Sequence, residues 1–322
     1  MGDLTCVNVR RATAGLTILI LTGDPVHTAG QQVPDRGFEP PIGSATFEEG
    51  EGPAVGIDAA HVNFHTMEGR YQTFARLLER DGYRVSSSSV AFTAPHLETL
   101  DVLVIANAMH PQSEGGFAPL PNLSAFTSSE IAEVERWVAS GGSLLLIADH
   151  MPIAGHAEDL AAAFGVRFHN GFVVDDQGIG LITFRRSDGS LVGSDVIDGR
   201  DRSERVDSVT AFTGQAFRLD PGVDAEPLLV IPEDYTVLLP SVAWEFSEST
   251  PRVSAAHLMQ GALVRHGRGR VAVFGEAAMF SAQLSGPEER PMGMNHPSAA
   301  QNYRFALNVL RWLSDPRSPR SH

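Results

Sequence analysis

The stretch that decides the fold is TSSEIAEVERWVASGGSLLLIADH, residues 127–150. Thr127 followed by Glu130 is a capping box, and the apolar residues after it recur at helical spacing. Gly141-Gly142 ends this helix, and the run SLLLIA that follows is an apolar segment of strand length. A strand that is apolar on both faces belongs in a parallel sheet covered by helices on both sides. The stretch therefore predicts one helix–strand unit of an α/β sheet.

The same alternation extends to both sides of this stretch. Apolar strands are predicted at residues 54–58, 83–90, 101–107, 143–148, 261–266 and 270–274, and helices at 69–80, 127–139 and 298–313. Strands separated by amphipathic helices predict an α/β fold with a doubly wound, mostly parallel sheet. Between residues 166 and 258 short β-like runs alternate with Gly, Pro and Asp, which predicts a β-rich insertion of antiparallel strands.

The predicted α/β domain covers residues 53–314. An extended, proline-containing arm precedes it at 31–52, and a polar, frayed tail follows at 315–322. Residues 1–30 are typical of a cleavable signal peptide, because Arg10-Arg11 precedes a short apolar stretch that is followed by small residues. That stretch is too short for a stable membrane span, so we expect a secreted or periplasmic protein. The alternative is that residues 16–21 form a buried first strand, which would make the protein cytoplasmic.

Composition excludes several classes of function. The 39 acidic and 24 basic residues give a net charge of −15, which disfavours nucleic acid as a partner. The chain has no lysine, which excludes lysine-bound pyridoxal phosphate and a Walker A loop. The single cysteine, Cys6, excludes internal disulfides and cysteine-based zinc sites. No Gly-x-Gly-x-x-Gly follows the first strand, so no nicotinamide or flavin cofactor is expected, and no Gly-x-Ser-x-Gly elbow for a nucleophilic serine is present.

Polar side chains follow four of the predicted strands, at the edge of the sheet where open α/β proteins bind ligands. We group the candidates by predicted role. The catalytic candidates are Asp149, His150 and Glu276, the substrate-binding candidates are Asn63, Arg70 and Asn107, and the metal-ligand candidates are Asp58, His61 and His65.

Each group has an alternative interpretation. In the substrate-binding group, Arg70 either binds a substrate carboxylate or forms a salt bridge with Glu68. Asp149 and His150 form a carboxylate–imidazole acid/base pair or a pair of metal ligands, although adjacent residues usually point apart. Glu276 is either functional or simply a carboxylate at a helix start. The candidate metal ligands suit zinc, manganese or calcium, or a histidine among them instead bonds loop backbone.

The ordered segments that carry a family resemblance are GRY at 69–71, DVLVIAN at 101–107, GGSLLLIADH at 141–150, GRVAVFGE at 269–276 and NVLRWL at 308–313. In this order they resemble the class I glutamine-amidotransferase-like superfamily, within its poorly characterised branch of gliding-motility and intraflagellar-transport accessory domains and trehalose-utilisation-like proteins. The resemblance implies a flavodoxin/glutamine-amidotransferase-like fold and a pocket. The family's nucleophilic cysteine is missing, because Asp149-His150 stands at the elbow, so glutamine hydrolysis is not implied.

Two functions are compatible with these residues. The first is an exported hydrolase that acts on a small polar or glycan-like substrate, with water activated by a metal or by a carboxylate–histidine pair. The second is a non-catalytic accessory domain that binds a carbohydrate or a peptide in a degenerate amidotransferase-like pocket. The sequence predicts no particular oligomeric state.

Overall fold

The computed structural model describes residues 32–113 and 118–315, so the predicted signal peptide and residues 316–322 of the predicted tail lie outside it. The described residues form six α-helices and seventeen strands. The helices are α1 (Gln72–Arg80), α2 (Ala94–Leu97), α3 (Ser128–Ala139), α4 (Ile153–Ala163), α5 (Asp195–Asp198) and α6 (Asn302–Ser314). The strands are β1 (Gln32–Pro34), β2 (Ala54–Asp58), β3 (Arg84–Ser88), β4 (Val102–Ala106), β5 (Ser143–Ile147), β6 (Val166–Phe168), β7 (Phe172–Val174), β8 (Leu181–Arg185), β9 (Ser208–Phe212), β10 (Phe217–Leu219), β11 (Ala225–Val230), β12 (Thr236–Leu238), β13 (Arg252–Ser254), β14 (Met259–His266), β15 (Gly269–Phe274), β16 (Ala282–Ser285) and β17 (Arg290–Gly293). None of the described helices is both long and apolar enough to cross a membrane.

The main sheet has nine strands and is mixed. Its order is β3-β2-β4-β5-β15-β14-β10-β6, and β11 pairs with β14 beside this path. The five strands from β3 to β15 are parallel, and the remaining pairings are antiparallel. The α/β architecture is confirmed, but the parallel part is smaller than predicted. The reason is that a tight turn at Gly267, with φ of 58°, joins β14 to β15, and a turn this short requires an antiparallel pair.

Helices and strands bury two apolar cores, one on each face of the sheet. On β4, Val102 and Val104 belong to the core that also contains residues of α1 and α6. Leu103 and Ile105, which point to the opposite face, belong to the core that contains residues of α3 and α4. This two-sided burial is why the strand sequence is continuously apolar.

The segment at 166–258 is β-rich, as predicted, and part of it joins the main sheet. Strands β6, β10 and β11 extend the main sheet, whereas β7, β12 and β13 form a small three-stranded sheet and β8 pairs with β9. The predicted arm, residues 31–52, also contacts the domain through strand pairing and hydrogen bonds. Its strand β1 pairs with β16, and the buried Asp81 carboxylate at the end of α1 accepts hydrogen bonds from the Thr46 backbone N–H and hydroxyl.

Candidate functional site

The predicted site residues lie at the carboxyl edge of the parallel strands, in two groups whose members are joined by hydrogen bonds or influence each other through charge. The first group, called here the His61 cluster, comprises Asp58, His61, Asn63 and Glu130. The second, called here the Asp149 cluster, comprises His65, Arg70, Tyr71, Asn107, Asp149, His150 and Glu276. The sequence predicts the shared edge but not this division.

The His61 cluster is an imidazole held between two carboxylates. His61 Nδ1 lies 2.9 Å from Asp58 Oδ2, and its Nε2 lies 3.0 Å from Glu130 Oε1. Burial lowers the pKa of His61, but hydrogen bonds and charge from Asp58 and Glu130 raise it more, so its pKa is higher than usual. Asn63 Nδ2 donates to Asp58 Oδ2 at 2.9 Å. Asn63 therefore holds a buried carboxylate in place.

The predicted metal set does not fit a metal ion in this arrangement. Both ring nitrogens of His61 face carboxylate oxygens, so neither has a lone pair directed at an open position. His65 lies in the other cluster, where Asn107 Nδ2 is 3.2 Å from its Nδ1. Across residues 32–113 and 118–315, no group of three or more His, Cys, Asp or Glu side chains is arranged to hold a metal ion. We therefore derive no chemical step through a metal.

Asn107 orients the strand end that carries Asp149. It has a φ of 52°, in the left-handed region that asparagine tolerates better than most residues. Its Oδ1 accepts the backbone N–H of Asp149 at 3.0 Å, so its Nδ2 is the group that donates to His65. Burial and the charge of Arg70 lower the pKa of His65 well below the usual value. His65 is thus a neutral imidazole that supports Asn107.

Glu276 is completely buried beside the start of a short 3₁₀ turn. Its two oxygens accept backbone N–H groups of Ala278 at 2.6 Å and Met279 at 2.8 Å. Burial, followed by the negative charge of Asp149, raises its pKa to about 8. Of the two interpretations of Glu276 given above, these contacts match a carboxylate at the start of a helical turn. The Glu276 side chain is completely buried, so it offers no group directly to a ligand.

Asp149 and His150 are the accessible pair of the cluster, with side chains 14% and 18% exposed. His150 Nδ1 lies 2.9 Å from the carbonyl oxygen of Met151. A carbonyl can only accept, so Nδ1 carries the proton and Nε2 is unprotonated in the neutral ring. Nε2 lies 3.9 Å from Asp149 Oδ1, and the ring stacks on Phe172 at a centroid distance of 4.6 Å. The two side chains are therefore neighbours, although adjacent residues usually point apart.

Arg70 supplies the positive charge of the Asp149 cluster. Its guanidinium carbon lies 3.5 Å from the centre of the Phe64 ring, and its Nη1 donates to the Phe64 carbonyl oxygen. Burial lowers its pKa to about 10, against the opposing effect of Asp149. Arg70 therefore stays positively charged at neutral pH.

Three residues of the site have no functional role predicted from the sequence. For Glu130 the sequence indicates only a place in a capping box. The hydroxyl of Tyr71 donates to the Ala277 carbonyl oxygen at 3.1 Å, and burial with the charges of Glu276 and Asp149 raises its pKa well above the usual value. The ring of Trp244 lies 4.6 Å from that of His150. No local pattern connects any of these residues to its partner.

Comparison with known proteins identifies a fold but no family. No protein-family model matches the chain, and no curated protein matches it significantly. Among solved structures, the mmIFT52 N-terminal domain matches with a TM-score of 0.54 and 14% identity, over 84% of this chain and 99% of that domain. A putative ThuA-like protein from Bacteroides uniformis matches with a TM-score of 0.48 and 12% identity, over 85% and 95% of the two chains.

A putative GMP synthase protein from Thermoplasma acidophilum matches with a TM-score of 0.38 and 12% identity, over 81% of this chain and 97% of that one. Identities this low carry no information about activity. The match above a TM-score of 0.5 agrees, at the level of fold, with the resemblance to intraflagellar-transport domains. The chain therefore shares the fold of the mmIFT52 N-terminal domain.

Proposed function

We propose that the chain is a hydrolase that acts on a small polar, glycan-like substrate at the Asp149 cluster, with His150 as the general base. The observation that carries the proposal is the state of the His150 ring. Its Nδ1–H is committed to the Met151 carbonyl, so its Nε2 lone pair is presented beside Asp149 at the accessible edge of the sheet. A general base needs an unprotonated nitrogen at a position that water can reach.

The proposed reaction is the addition of water to an electrophilic carbon of the substrate. Nε2 of His150 takes a proton from the water as the water oxygen bonds to that carbon. The bond to the leaving group then breaks, and the imidazolium returns the proton to the leaving group. The carboxylate of Asp149, 3.9 Å from Nε2, stabilises the imidazolium in between.

The charges around Asp149 support this role. Glu276, with a pKa of about 8, is mostly protonated at neutral pH, so Asp149 carries the negative charge of the pair. Arg70 remains cationic and balances that charge. Several ionisable groups with shifted pKa values at one accessible edge are typical of a catalytic site. Export, predicted from residues 1–30, remains part of the proposal.

Binding without catalysis is the second candidate, and the burial of Glu276 favours it. A retaining or inverting glycosidase needs two carboxyl groups that reach the substrate, whereas the Asp149 cluster offers one accessible carboxylate. An accessory domain that binds a carbohydrate or a peptide would need only the accessible groups.

Turnover assays separate the two candidates. The purified chain is assayed with chromogenic esters, amides and glycosides, and the His150→Gln variant is compared with His266→Gln. His266 lies at the opposite edge of the sheet, where it binds Glu135. We expect His150→Gln to lower kcat/KM by about 100-fold or more and His266→Gln to leave it unchanged. Equal activity of the two variants would refute the role of His150, and ligand binding without turnover would support the accessory-domain function.

A further inference from the structure

Trp244 is a bulky aromatic residue held with much of its side chain in solvent. It is 44% exposed, and its backbone φ is 68°, in the left-handed region. For a non-glycine residue of this size that conformation is energetically unfavourable, and the surrounding structure must maintain it. Such strain is concentrated at active sites and ligand clamps.

The surroundings of Trp244 hold it rigidly beside the Asp149 cluster. Its ring contacts those of His150, Phe172 and Phe246 at centroid distances of 4.6, 4.8 and 6.5 Å, all at steep angles. The preceding residues pair with a neighbouring segment, because Leu120 N–H donates to the Ser241 carbonyl and Ala243 N–H to that of Ala118. The exposed indole is therefore a preformed surface rather than a loose loop tip.

A second exposed aromatic ring lies on the other side of Asp149 in this chain of contacts. Phe64 is 45% exposed, and Arg70 covers one face of its ring. The backbone N–H of Phe64 donates to the Asn107 carbonyl, and the Asn107 side chain holds Asp149. Asp149 is thus linked through Asn107 to Phe64 and through His150 to Trp244.

We propose that Trp244 is the stacking platform for a neutral sugar ring whose hydroxyl groups are bound by Asp149 and Arg70. This inference deepens the proposed function, on which it rests, by narrowing the glycan-like substrate to a neutral sugar and by naming the residue on which the sugar packs. The C–H face of a pyranose packs on an aromatic face, while its hydroxyls donate to a carboxylate and accept from a guanidinium.

The charges argue against other ligand classes. A purely apolar ligand would remove water from Asp149 and Arg70 and offer no hydrogen bonds in return, which is costly. An anionic ligand would meet the carboxylate of Asp149 and a chain of net charge −15. A neutral saccharide matches both the exposed ring and the paired charges.

Saccharide titrations test the platform directly. Cellobiose, chitobiose, maltose and lactose are each titrated into the full chain, with binding followed by tryptophan emission and by calorimetry. The Trp244→Ala variant is compared with Trp137→Phe, a change at a half-buried position on α3. We expect at least one disaccharide to bind saturably, Trp244→Ala to bind it roughly tenfold more weakly, and Trp137→Phe to bind it like the wild type.

The outcomes distinguish this inference from the proposed hydrolysis. No saturable binding of any of the four disaccharides, or equal affinity of the two variants, overturns the sugar platform. Saccharide binding that depends on Trp244 without turnover supports the platform and overturns hydrolysis. Turnover of a non-sugar ester that depends on His150, with no saccharide binding, supports hydrolysis and overturns the platform. Circular dichroism of each variant confirms that it is folded.

Discussion

Glu276 and Asp149 form an unequal pair of carboxyl groups, because Glu276 is completely buried whereas the Asp149 side chain is 14% exposed. Burial and the charge of Asp149 raise the pKa of Glu276 from its usual 4.5 to about 8. Asp149 is the partner that faces the accessible edge. The pair therefore concentrates its negative charge on the side chain that a ligand can contact.

This relationship predicts how stability depends on pH. The folded chain binds the Glu276 proton more tightly than the unfolded chain, so this stabilisation is complete below about pH 4.5 and is lost as the pH rises through 8. Asp149→Asn removes one cause of the raised pKa. Between pH 5 and pH 8 we expect the free energy of unfolding to fall in both proteins, but by about 1 kcal/mol less in this variant than in the wild type. Urea titrations at the two pH values measure the difference. Asp220→Asn, which changes a surface pair with Arg167, is the control; identical pH slopes in Asp149→Asn and wild type would contradict the coupling.

The His61 cluster is expected to be a structural clasp. His61→Leu removes the donor shared by Asp58 and Glu130, so we expect the free energy of unfolding to fall by about 3 kcal/mol at pH 6. The pKa of His61 is raised, so its contribution is complete below the usual value of 6.5 and declines as the pH rises through the raised pKa. The loss on mutation should shrink accordingly at high pH.

The matched control for the clasp is His266→Gln, which removes the more exposed pair with Glu135. We expect it to cost less than about 1 kcal/mol at pH 6. Urea titrations of both variants provide the comparison. Similar small losses in the two variants would show that His61 does not hold the two carboxylates together.

We expect the capping box of α3 to contribute to the free energy of unfolding. The Thr127 side-chain oxygen accepts the Glu130 backbone N–H at 3.2 Å, and its hydroxyl donates to Glu130 Oε2 at 2.8 Å. Thr127→Ala should lower the free energy of unfolding by about 1 kcal/mol, whereas Thr127→Ser should keep most of it. The comparison uses the urea midpoint at constant m value, and equal midpoints for the two variants would rule out the cap.

The metal content of the purified protein tests whether His61 contacts two carboxylates rather than a metal ion. Because both ring nitrogens of His61 contact carboxylates, we expect substoichiometric zinc, manganese and calcium in protein purified without chelator, measured by elemental mass spectrometry. Treatment with EDTA should leave the urea midpoint unchanged. A stoichiometric metal that is lost in His61→Ala would instead require His61 to release Asp58 or Glu130 and act as a ligand.

Local structure could be predicted well from the sequence. The capping box at Thr127 and the apolar run after Gly142 became α3 and β5, because helix caps and strand periodicity depend on residues close together in the chain. The mostly parallel sheet was wrong for β14, although the reason is also local. Only three residues, 267–269, separate the two predicted strands, and a turn this short makes β14 pair antiparallel with β15.

By itself the sequence determined the helices α1, α3 and α6, six strands of the main sheet and the edge at which the polar side chains gather, since strand ends carry Asp58, Asn107, Asp149 and Glu276. Only the tertiary structure decided which of them contact each other. In the folded chain His61 pairs with Glu130, His65 is hydrogen-bonded to Asn107, and the ring of Trp244 contacts that of His150. Those partners lie far apart in the chain, and packing of the intervening elements rather than any local period determines such contacts.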